Sequence, residues 1–146
     1  VTLKFLGGVE TPRLAPVAAA LVDAASTCAP FELAVRGLGA FPSRTRARVV
    51  WAGIDDGGAT ARLATRVEAA MVELGFEREA RPFAGHVTLG RVRQPRGNPR
   101  LAAALDGHSA YGRLRVDRVV LMRSDLSPRG ARYTELAEAP LAALAG

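Results

Sequence analysis

Apolar and polar positions alternate in several short runs, and the first opens the chain. Val1–Leu6 alternates and ends at Gly7-Gly8, which predicts a strand running into a turn. Thr11-Pro12 suits a helix start, but Pro16 would clash in a second turn. The spacing therefore predicts a helix from about Ala15, through Leu21 and Val22, to Ser26. Phe31, Leu33 and Val35 alternate as a second strand, Gly37–Ser43 reads as a loop, and Arg48–Ile54 as a third strand. Asp55-Asp56-Gly57-Gly58 makes a turn. Leu63, Val67, Ala70, Met71 and Leu74 follow at helical spacing, and Gly75 stops that helix. Phe83–Val92 reads as a strand, Gln94–Arg100 as a polar Pro/Gly loop, and Leu101–Leu105 as a short helix. Leu114–Met122 and Arg132–Ala137 read as strands joined by the turn Ser127-Pro128-Arg129-Gly130. Strands and helices mix, with a hairpin near the end. The pattern is α+β, without a linker.

Composition narrows the picture only a little. The 146 residues fit one domain, and 49% hydrophobic with 23% charged residues is an ordinary globular balance. The net charge of +6 suits either solubility or a polyanionic partner, and the arginines are scattered rather than run together. Lys4 is the only lysine, so nearly all positive charge sits on guanidinium groups, whose fork of donors matches phosphate geometry. Cys28 is alone, which leaves no intramolecular disulfide and no cysteine-based zinc site. It is expected to be a buried or half-buried helix residue. Charges break the longest apolar stretches, so nothing is expected to span a membrane. The default compartment is the cytoplasm.

The candidate chemistry lies in a repeated tripeptide. Val1-Thr2-Leu3 returns as Val87-Thr88-Leu89, the second time preceded by His86 and followed by Gly90-Arg91. The two copies are too far apart for a solenoid repeat but suit two equivalent lobes. Residues two apart on a strand share a face, so His86 and Thr88 project side by side. A histidine can take or give a proton near neutral pH, a threonine hydroxyl can bond a non-bridging phosphate oxygen, and an arginine can neutralise developing charge. A bare H-x-T is more often a strand histidine satisfied by a carbonyl; the repetition around it weakens that reading. In-line displacement at phosphorus needs a second proton carrier facing His86. His108, in Asp106-Gly107-His108-Ser109, reads as an exposed loop residue, so the better position is the one before Val1.

On these residues the chain resembles a known family. Val1-Thr2-Leu3-Lys4-Phe5-Leu6-Gly7 is similar to the first signature of the RNA 2′,3′-cyclic phosphodiesterases, without its leading histidine. These enzymes, also called 2′-5′ RNA ligases, are two-histidine (2H) phosphoesterases. The segment from Arg81 to Arg91 resembles the second signature. Gly39–Ser43 with Arg48-Val49-Val50-Trp51 resembles the middle segment, and Leu121–Tyr133 the closing hairpin. The similarity runs through the chain in order. Gly85 and Gly90 stand where the family often has proline and alanine.

The resemblance implies a bilobed α+β fold, two antiparallel sheets facing across a central cleft with helices outside. It implies one domain over residues 1–146, with a strand, a helix and the first catalytic histidine expected before Val1. The reaction it implies is metal-free hydrolysis of a 2′,3′-cyclic phosphate on an RNA end to a 2′-phosphate, which in reverse would form a 2′-5′ link. His86 would be the proton acceptor, Thr2 and Thr88 would hold non-bridging oxygens, and Arg91 would bind phosphate. Tyr133 and Phe5 could stack on a base, although packing is the expected role for Phe5. Arg44, Arg46 and Arg48 alternate at the start of a strand, where they share a face that could contact substrate or simply be solvated, the second being the favoured reading. Arg93, Arg96 and Arg100 flank the loop after the second signature, near the entrance of the implied cleft. No cofactor, metal or membrane partner is expected, and the chain is expected to act as a monomer on RNA. Two alternatives stay open: a 2H relative acting on a small cyclic nucleotide, and a non-catalytic RNA-end binding module. Low aromatic content (5%) argues against an extended stacking platform.

Overall fold

A computed structural model describes residues 1–93 and 97–142. The described residues form six strands: β1 (Phe31–Phe41), β2 (Val49–Asp55), β3 (His86–Arg91), β4 (Ala110–Val116), β5 (Arg118–Ser127) and β6 (Gly130–Pro140). Three α-helices accompany them: α1 (Leu14–Ser26), which follows a 3-10 turn at Thr11–Arg13, α2 (Ala59–Glu73) and α3 (Pro99–Ala104). One sheet has the order β3-β2-β1-β4, and β5 pairs with β6 in an antiparallel hairpin. No helix among the described residues is long and apolar enough to cross a membrane. The chain divides into two compact units. The first holds Val1–Leu3, Glu32–Ala61 and Phe83–Arg115; the second holds Lys4–Phe31, Arg62–Pro82 and the chain from Val116 onward.

In the first unit the alternation of β1 and β2 sorts the sheet into two faces. Leu33, Val35, Leu38 and Ala40 of β1 share one with Val50, Ala52 and Ile54 of β2. Ala40, Ala47 and Leu105 form a buried cluster there, with Leu38, Val50, Val92 and Leu101 packed against it, so α3 and its flank close this face. The opposite face carries the polar and aromatic positions. In the second unit, α1 buries Val17, Leu21 and Ala25 and packs on the β5–β6 hairpin, which contributes Val119, Leu121 and Ala139. α2 buries Leu63, Ala64, Val67 and Met71 at helical spacing.

Several elements depart from the sequence pattern. Val1–Leu6 is not a strand: a strand is held by its ladder, and among the described residues no ladder pairs with these. Pro16 lies inside α1, in the first turn, where its missing N–H is not needed. β1 continues through Gly37 to Phe41 where a loop is predicted, because a bulge between Arg36 and Leu38 lets the ladder resume. The expected strand Leu114–Met122 is two strands in different sheets, divided at Asp117. Cys28 is half-buried but lies beyond α1. Gln94, Pro95 and Arg96, within the predicted Gln94–Arg100 loop, lie outside the described residues, and Arg100 falls in α3.

Candidate active site

The ring of His86 is held from two sides. Its Nδ1 lies 2.7 Å from the backbone carbonyl of Ala84. A carbonyl oxygen only accepts, so Nδ1 carries the proton of the neutral ring and Nε2 keeps the lone pair. Phe41 meets the imidazole edge-on, with centroids 5.1 Å apart and planes at 84°. Trp51 stands behind, 5.4 Å from the Phe41 ring and 6.5 Å from the imidazole. The indole lies directly over Gly39, where any Cβ would overlap it. Gly39 is thus what lets Trp51 reach across β1. The Trp51 Nε1 is buried and has no hydrogen-bond partner among the described residues.

Register decides what else shares the face. His86 pairs with Gly53, Val87 with Ala52 and Thr88 with Trp51; after that Leu89 is skipped, and Gly90 pairs with Val50 and Arg91 with Val49. Without the bulge, Arg91 would fall on the opposite face from His86 and Thr88, five residues being an odd separation. With it, His86, Thr88 and Arg91 all stand opposite odd-numbered residues of β2 and share the aromatic face. The extra residue, Leu89, is 57% exposed. Thr88 and Arg91 are exposed as well.

The remaining candidates are placed differently. Thr2 is exposed in irregular backbone and belongs to the same compact unit as His86. Arg44 and Arg46 do not alternate on a strand, because β2 starts only at Val49 and residues 42–48 form a turn. Arg44 is paired with Asp106 at 3.0 Å, and the backbone N–H of Arg46 donates to Ser43 Oγ. Tyr133 belongs to the second unit, opposite Ser124 in the hairpin, and is 62% exposed. Phe5 is 77% exposed and does not serve packing, contrary to expectation. His108 lies in the exposed loop before β4, as its context predicts. Among the described residues no three His, Cys, Asp or Glu side chains lie together as a metal site would require. Sequence reasoning left Phe41, Trp51 and the Ala84 carbonyl without a role; only cross-strand register reveals it.

A model of the 2′-5′ RNA ligase superfamily matches residues 1–128. The chain belongs to that superfamily. Among its curated relatives is an RNA 2′,3′-cyclic phosphodiesterase of Methanothermobacter thermautotrophicus, 35% identical over 92% of this chain and 74% of that protein. Another, from Archaeoglobus fulgidus and of the same name, is 37% identical over 93% of this chain and 76% of that protein. A crystal structure of a Thermus thermophilus protein superposes with a TM-score of 0.79 at 30% identity, covering 95% of this chain and 75% of that one. This member of the superfamily has the 2H phosphoesterase fold, α+β with two antiparallel sheets.

Proposed function

We propose that this protein is a monomeric cytoplasmic enzyme that hydrolyses a terminal 2′,3′-cyclic phosphate on RNA to a 2′-phosphate, by acid–base catalysis without a metal ion. The observation that carries this reading is the hydrogen bond between His86 Nδ1 and the Ala84 carbonyl. It leaves Nε2 free as a base, on a face shared with a hydroxyl and a guanidinium. In the step proposed, Nε2 takes a proton from water as the water oxygen bonds to phosphorus. The bond from phosphorus to the 3′ oxygen breaks, and that oxygen takes a proton from an acid on the far side. In the family pattern this acid is a second histidine. Thr88 and Thr2 donate to non-bridging oxygens, and Arg91 offsets the charge that gathers there. Run in reverse, the same groups would join RNA ends through a 2′-5′ link.

The curated relatives named RNA 2′,3′-cyclic phosphodiesterase support the same substrate class. The test is release of 2′-phosphate from a cyclic-phosphate oligonucleotide by the full-length protein, with and without chelator. Undiminished turnover in chelator is expected. His86→Ala should lower kcat by about 10²–10⁴-fold while leaving the melting midpoint in place. Activity lost on chelation would remove the metal-free mechanism, and unchanged activity in His86→Ala would remove the assigned base. Preference for a cyclic mononucleotide over the oligonucleotide would favour a small cyclic nucleotide as substrate.

A further inference from the structure

A second bulge adds a residue to the histidine face. Val35 and Leu38 of β1 are both half-buried apolar positions, yet they are three residues apart and would point to opposite faces of a regular strand. Gly37 absorbs the mismatch. It has φ +73°, is skipped in the pairing with β2, and donates its N–H to the Ser109 carbonyl. Arg36 is consequently paired with Gly53, which is paired in turn with His86. The three make one row across the sheet, with no side chain in the middle. That gap is enforced: a Cβ on Gly53 would lie 2.6 Å from the Arg36 carbonyl oxygen. Trp51 stands one row away along β2 and borders the gap.

Arg36 is exposed and makes no ion pair among the described residues. Two other arginines of this unit are in ion pairs, Arg113 with Glu32 at 3.3 Å and Arg44 with Asp106. Asp55 lies on the same face one row along, and Arg36 makes no ion pair with it. The row spans two strand spacings, roughly 9–10 Å from Arg36 to His86.

We propose that Arg36 is a substrate-binding residue that holds an RNA backbone phosphate next to the terminal cyclic phosphate, and so sets a preference for oligonucleotides over mononucleotides. The proposal rests on the cyclic phosphodiesterase reading above. A guanidinium fork matches a phosphodiester, and an RNA chain offers such a group where a mononucleotide has none.

The test compares wild type, Arg36→Ala and Arg36→Gln in the full-length protein, on a cyclic-phosphate oligonucleotide and on a 2′,3′-cyclic mononucleotide. Both variants should raise KM for the oligonucleotide about tenfold and leave kcat and the mononucleotide KM unchanged. Loss of one phosphate contact should also reduce the slope of log(1/KM) against log salt by about 0.7. An equal rise in KM for both substrates, or no change for either, overturns the proposal. Wild-type protein that turns over neither substrate sinks the cyclic phosphodiesterase reading itself, and the proposal with it. Because the two substrates are read on the same protein, a folding defect would show as loss on both, and the glutamine variant would then decide.

Discussion

The surroundings of His86 depend on a residue with no side chain. Gly39 lies under the Trp51 indole, and the indole backs Phe41, which meets the imidazole edge-on. Adding one methyl group there would push the ring system off β1, since backbone and indole cannot occupy the same space. Gly39→Ala is therefore expected to cost about 1–3 kcal/mol of stability and to lower turnover. Trp51 is the only tryptophan, so its emission reports the displacement directly. Unchanged emission together with unchanged activity would contradict this account. His86, Thr88 and Arg91 were legible as candidates because their residue types suit phosphate chemistry. Phe41 and Trp51 were legible only as apolar residues. Their contact with the histidine joins three strands, and no spacing within one strand encodes it.

At the scale of elements, two bulges do what alternation alone cannot. The skipped Leu89 brings Arg91 onto the face of His86 and Thr88, and the skipped Gly37 brings Arg36 there. Gly37 can do so because its φ of +73° is open to glycine and costly for other residues. Gly37→Val is expected to destabilise the protein by about 1–2 kcal/mol or more, read as a lower urea midpoint at unchanged slope. An unaltered midpoint would mean that the ladder tolerates another register. The apolar spacing of Val35 and Leu38 held the clue, but the run read instead as a strand ending in a loop. The Leu114–Met122 run misled in the opposite sense. Its hydrophobic pattern is continuous, while the chain leaves one sheet for another at Asp117, whose carbonyl accepts from the Leu141 N–H.

For the molecule as a whole, each of the two units contains a carboxylate clasp. In the second unit, Lys4 Nζ contacts Glu68 at 2.7 Å and donates to the Glu77 carbonyl at 2.9 Å, while the Glu79 N–H donates to the same carboxylate. This clasp ties the N-terminal segment to α2 without any strand pairing. Burial alone would raise the Glu68 pKa, but the hydrogen bonds from Lys4 and Glu79 outweigh it and hold the carboxyl below its usual range. In the first unit, burial likewise opposes ionisation of Asp56, and hydrogen bonds from the Thr60 hydroxyl and N–H and the Gly58 N–H prevail. A carboxyl lowered by folding contributes stability that is present above its unfolded pKa, about 4. That contribution is lost as pH falls through the lower folded value. The urea midpoint should hold near neutral pH and decline from about pH 4.5 downward. Glu68→Gln should lower the neutral-pH midpoint and flatten the decline; an equally steep decline in that variant would assign it to other groups.

The sequence by itself determined the class of fold, most of the helices and strands, and the residue types at the centre of the site. Those follow from local chemistry: the period of apolar residues, the turn formers, and a histidine two positions from a threonine. Tertiary structure alone decided that Val1–Leu6 is not a strand, that Phe5 is exposed, and that Arg44 is paired with Asp106. It also decided which residues share a face with His86. A skipped residue inverts every later position of a strand, and whether one is skipped depends on what the neighbouring strand and the packed face require.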